Sequence, residues 1–129
     1  MTTDPTKVTP EEITQYREQL ADNSKALADL EVIERTEGDL ERAARVLARR
    51  AGEEEVKSGS NWQLALQQAR KVVCNDKFKD GLVPEFIGGF IGALTASADR
   101  ILVAVATPVA IYIIRVGLEN FCKTPDSAS

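Results

Sequence analysis

Apolar residues recur along this chain in three rhythms. Ile13, Tyr16, Leu20, Leu27 and Leu30 follow alternating steps of three and four, with Asn23 occupying the one polar place in the row. That spacing predicts one long helix from residue 10 to about 36 with a heptad-like seam. Its start is marked by Thr9-Pro10-Glu11-Glu12. Thr9 is placed to cap the amide near Glu12, Glu12 to reach back, and Pro10 suits the first helical position. Glu37-Gly38 marks its end.

The second rhythm is a one-sided stripe. Leu40, Ala43, Ala44, Leu47 and Ala48 share a face behind an Asp39 cap, with Arg42, Arg45, Arg49 and Arg50 turned elsewhere. Trp62, Ala65, Leu66, Ala69 and Val73 form a similar stripe behind Ser60-Asn61-Trp62-Gln63, which reads as a second capping box. Between them, residues 53–59 read as a charged loop, and 76–81 as a polar turn.

The third rhythm has no polar side. Phe86–Ala98 and Ile101–Ile114 are apolar all round, separated by Asp99-Arg100. A helix that is apolar on every side needs burial on every side. Crossing a bilayer takes about 20 such residues, and each run falls short. Read as one helix, the pair would put Asp99-Arg100 near the bilayer centre, at a cost of at least about 2.5 kcal/mol. The pattern therefore predicts two core helices, the first opening near Pro84. An inserted helical hairpin over 86–114 is the alternative. Within the first helix Gly88, Gly92 and Ala96 are spaced by four, as are Gly89 and Ala93, which suits close approach by another helix. Pro108 either kinks the last helix or splits it.

The expected fold is all α: a bundle of about five helices, with two strongly apolar C-terminal helices packed by amphipathic N-terminal ones. Residues 1–9 and 123–129 are expected to be disordered. Residues 10–122 form one helical domain, divided into amphipathic helices over 10–75 and an apolar hairpin over 83–122.

Composition narrows the chemistry. Of the 16 Lys/Arg and 20 Asp/Glu, residues 81–129 hold only 3 and 4. The net charge of −4 carries no basic footprint for nucleic acid. The absence of histidine rules out His-dependent catalysis and His-ligated metal. Glu11-Glu12 and Glu53-Glu54-Glu55 read as solvated charge, and no phosphate loop surrounds Gly88-Gly89. Cys74 and Cys122 are expected to be two buried thiols of a reducing compartment; the pattern also allows a bridge between them. The absence of a leader-like segment at Met1–Pro10 adds to a cytoplasmic expectation, with a membrane location as the alternative.

Thr36–Leu47 resembles the Gly-Asp-x-Glu-x-Ala-x-x-x-Leu segment of ubiquitin-associated-type helical modules over a dozen residues, too few to carry a function across. In layout alone, an apolar hairpin wrapped by amphipathic helices is similar to colicin-type pore-forming folds. The functional expectation is a non-enzymatic protein–protein interaction or self-association module, without cofactor or metal. Its partner would be a second copy or another protein, not nucleic acid. Its contact residues would be Tyr16, Leu20, Asn23 and Leu27 on the first helix and Gly88, Gly89, Gly92 and Ala96 on the fourth.

Overall fold

The computed structural model describes residues 6–50, 61–74, 87–96 and 100–123. These residues are all α, in seven helices: α1 (Pro10–Gln19), α2 (Ser24–Arg35), α3 (Leu40–Arg50), α4 (Asn61–Val73), α5 (Ile87–Ala96), α6 (Arg100–Val116) and α7 (Leu118–Lys123). The loop at 53–59, the Ser60 cap, the turn at 76–81, the Pro84 start, Asp99 and the tail at 124–129 lie outside the described residues.

The long first helix of the sequence reading is two helices. The Leu20 amide still bonds to the Tyr16 carbonyl, but the Asn23 amide turns back to Leu20 at 2.9 Å. The Asn23 side chain then accepts from the Ala26 amide at 3.0 Å and caps α2. Asn satisfies an orphan helix-start amide better than it continues a helix, so Asp22-Asn23-Ser24 breaks the chain where the apolar spacing runs on.

The predicted caps at Thr9 and Asp39 form. Thr9 and Glu12 exchange a reciprocal capping box, and Asp39 accepts from the Arg42 amide at 3.1 Å. Past α2, Gly38 N–H reaches the Ile33 carbonyl and Glu37 N–H the Glu34 carbonyl, a Schellman ending with Glu37 left-handed at φ 60.

Residues 6–9 are ordered, contrary to the expected frayed terminus. Val8 N–H donates to Gly38 and Leu40 N–H donates to Thr6, at 2.9 and 2.8 Å. Lys7 pairs with Asp39 at 3.0 Å, and Val8 is buried. Gly38 is required at this corner: it stands at φ +80, and a Cβ there would lie 2.1 Å from the Val8 carbonyl oxygen.

Helix α6 is the axis of the fold. It packs against α2, α3, α4, α5 and α7, and Arg115 near its end pairs with Glu12 of α1. Leu102, Val109, Ala110, Ile111 and Ile113 are fully buried. At the position left open by Pro108, α6 consists of two helical stretches that meet at a kink. Pro108 offers no N–H to the Ala104 carbonyl, and Val105 leaves helical geometry at φ −114, ψ 21. The bulky apolar side chains of α5 and the middle of α6 are thus sheltered by protein, while Gly92 and Ala96 of α5 stay exposed. No described helix is long and apolar enough to cross a membrane.

Candidate interaction surfaces

The eight predicted contact residues separate into two places. On the N-terminal side, Tyr16 and Leu20 are buried within the chain, Leu27 is half-buried against the core, and Asn23 is exposed and occupied as a cap. The row is therefore not one continuous seam. Tyr16 sits beside Glu12 and Arg115: burial raises its phenol pKa, Glu12 raises it further, and Arg115 acts against both.

On α5 the bulky positions Ile87, Phe90, Ile91 and Leu94 are buried. Gly88 and Gly89 are half-buried, while Gly92 and Ala96 are exposed. A Cβ built on Gly92 meets nothing within 4 Å. Among the described residues, none makes the close helix approach expected at Gly92. This side of α5 is open because its side chains have little volume, not because they are polar.

Two further surfaces surround these. Arg42, Arg45, Arg49 and Arg50 are exposed along α3, with Glu41 3.7 Å from Arg45. Asp39 is engaged by Lys7 and the Arg42 amide. Burial acts to raise the Asp39 pKa, but the Arg42 amide, the Lys7 ammonium and the Glu41 amide outweigh it and hold the carboxyl below its ordinary value. A pocket of about 270 Å³ opens between the N-terminal arm, α1 and the end of α2, lined by Val8, Pro10, Ile13, Glu34, Glu37 and Gly38.

Three arrangements were not legible in the sequence. Asp29, 4 % exposed, accepts from the buried Thr107 hydroxyl and from Lys25, each at 2.8 Å. A buried carboxylate needs such partners. Lys25 at i−4 was readable as a helix pair; Thr107, 78 positions away, was not. Second, Cys74 and Cys122 form a disulfide with Cα atoms 5.6 Å apart, which overturns the expectation of two thiols. Third, α7 is clamped by aromatics. Phe121 is buried, Tyr112 meets both Trp62 and Phe121 edge-on, and Arg70 lies over the Phe121 ring, donating to its carbonyl at 3.2 Å.

Among the described residues no group of three carboxylate or thiol side chains is arranged to hold a metal ion. No family model, no curated protein and no solved structure matches this chain.

Proposed function

We propose that this protein is a non-enzymatic helical module that acts by contact with another protein surface, in the first instance a second copy of itself. In this reading residues 10–122 are one domain, a bundle whose two apolar C-terminal helices are wrapped by amphipathic ones. The observation that carries it is the outer side of α5, where Gly92 and Ala96 are exposed and Gly92 faces open space on an otherwise apolar helix. Small residues on an exposed helix side let a second helix come close enough for backbone contact, and each glycine costs about 1 kcal/mol in helix propensity unless such a contact offsets it.

The disulfide also bears on location. Stable bridges belong to oxidising compartments, so the Cys74–Cys122 pair favours an oxidising setting over the cytoplasmic one expected from sequence.

The test is light scattering across a concentration series for the parent and for Gly92→Leu. A side chain at 92 leaves the helix into open space, so helicity and melting temperature should be kept or raised while association is lost. A parent that stays monomeric at every concentration overturns the reading, as does an oligomer indifferent to Gly92→Leu.

A further inference from the structure

Helix α7 is joined to the rest of the molecule by a single left-handed residue. Gly117 stands at φ +89; its N–H closes α6 on Ile113 at 2.8 Å, and its carbonyl opens α7 by accepting from Phe121 at 2.9 Å. Only a residue without a Cβ holds that corner at no steric cost. Returned to helical angles, Gly117 would run α6 and α7 together into one helix and carry Phe121 and Cys122 about 7.5 and 9 Å beyond Val116.

What holds α7 down lies elsewhere in the chain. The buried Phe121 ring meets Tyr112 of α6 and the Arg70 guanidinium of α4, Arg70 Nε donates to the Phe121 carbonyl, and Cys122 is bonded to Cys74 at the end of α4. Another copy's α7 could make each of these contacts equally well. The slot therefore defines its own occupant: a short helix with an aromatic anchor and a cysteine one residue later. Exchange of an identical element between copies needs no new surface and closes as a symmetric dimer.

We propose that the slot between α4 and α6 accepts α7 from a second copy, with Gly117 as the hinge and the Cys74–Cys122 bond as the link that is exchanged. This rests on the self-association reading and adds a second contact to it. The chemistry balances without net oxidation. A small thiolate attacks Cys74 of one copy, leaving a mixed disulfide there and freeing the Cys122 thiolate; that thiolate attacks Cys74 of the second copy and frees the second Cys122 thiolate. The latter attacks the mixed disulfide and expels the small thiolate, so two intramolecular bonds become two intermolecular ones. Within one chain the short hinge keeps α7 at high effective concentration, so the closed monomer dominates until concentration or the hinge favours exchange.

The chain has two cysteines, which makes the test direct. Cys74→Ser, which keeps Cys122, is mixed with Cys122→Ser, which keeps Cys74, and the mixture is oxidised with oxidised glutathione. Random pairing of equimolar chains gives about twice as much heterodimer as either homodimer, so the expected product on a non-reducing gel is a covalent heterodimer at least about tenfold above either homodimer, yielding a 74–122 cross-linked peptide. A heterodimer at the random twofold ratio overturns the proposal. As these variants lose the native bridge, a second protein keeps both cysteines and carries Gly117→Ala. Alanine is disfavoured at φ +89 by about tenfold per hinge, and the dimer has two hinges, so with catalytic reduced glutathione its Cys74–Cys122 covalent dimer should rise about a hundredfold over the parent at low conversion. A monomeric Gly117→Ala protein, with thiol exchange verified by its glutathione adduct, also overturns it. A dimer that Gly92→Leu abolishes but that lacks the 74–122 cross-link overturns exchange alone; a parent monomeric throughout overturns the self-association reading as well.

Discussion

Of the two helices that read as apolar on every side, α6 is closed in all round through its middle, from Ala104 to Ile111, and α5 is not. Neighbours reach α6 from α2, α3, α4, α5 and α7, and Leu102 and Ile111 are fully buried. Helix α5 buries Ile87, Phe90 and Leu94 but leaves Gly92 and Ala96 exposed. Hydropathy alone does not distinguish them, because a glycine counts as non-polar yet brings almost no area to bury. The demand for burial scales with apolar area, at roughly 25 cal/mol per Å². A small-residue side can therefore stand in water at little cost, and a small domain can hold two apolar helices while enclosing only one.

Both helices lie inside the loop closed by Cys74–Cys122, across a separation of 48 positions. Opening that loop by reduction, or by a double Cys→Ser variant, should lower stability by about 4 kcal/mol on chain-entropy grounds; guanidinium unfolding with and without reductant reads it. Ile111→Ala should cost about 3 kcal/mol, as for a fully buried large-to-small change. Ala110→Leu on the same helix should cost about 2 kcal/mol through overpacking. Gly92→Ala on α5 should instead raise stability by about 0.5–1 kcal/mol, since the added methyl enters open space and the helix gains propensity. If Ala110→Leu and Gly92→Ala change stability alike, the two helices are not sheltered differently.

The smallest effect should come from Asp39, which lies in neither helix. Its folded-state pKa lies below the ordinary carboxylate value, so its contribution is present above the unfolded pKa and fades as pH falls through the folded one. Acid titration should loosen the Lys7 arm and the start of α3 while leaving α5 and α6 amides protected from hydrogen exchange. Equal loss of protection in α6 would contradict that separation.

Local signals in the sequence were the legible ones. Thr9 with Glu12, Asp39 before Leu40, and Glu37-Gly38 mark helix ends within a few residues of themselves, and the structure uses each. The stripe from Leu40 to Ala48 and the apolar character of α6 also stand as read. The division of the first helix was missed because Ile13, Tyr16, Leu20, Leu27 and Leu30 keep helical spacing through the turn. Packing rewards that spacing on either side of the break, and only Asp22-Asn23-Ser24 betrays it. The Cys74–Cys122 bridge, the Asp29–Thr107 bond and the Arg70–Phe121 clamp join residues 48, 78 and 51 positions apart. Nothing near either member of these pairs encodes the other; the fold brings them together. On α5, the sequence marked the glycine ladder but not which side of the helix the chain would cover.

The placement of the lone tryptophan has a practical consequence. Trp62 is 4 % exposed, with its ring centroid 5.4 Å from that of Tyr112. One indole, sitting where α4 meets α6, gives the protein a built-in optical probe. Its emission should move to longer wavelength when those two helices part, so the opening of the central helix can be timed in unlabelled protein, separately from changes at the N-terminal arm.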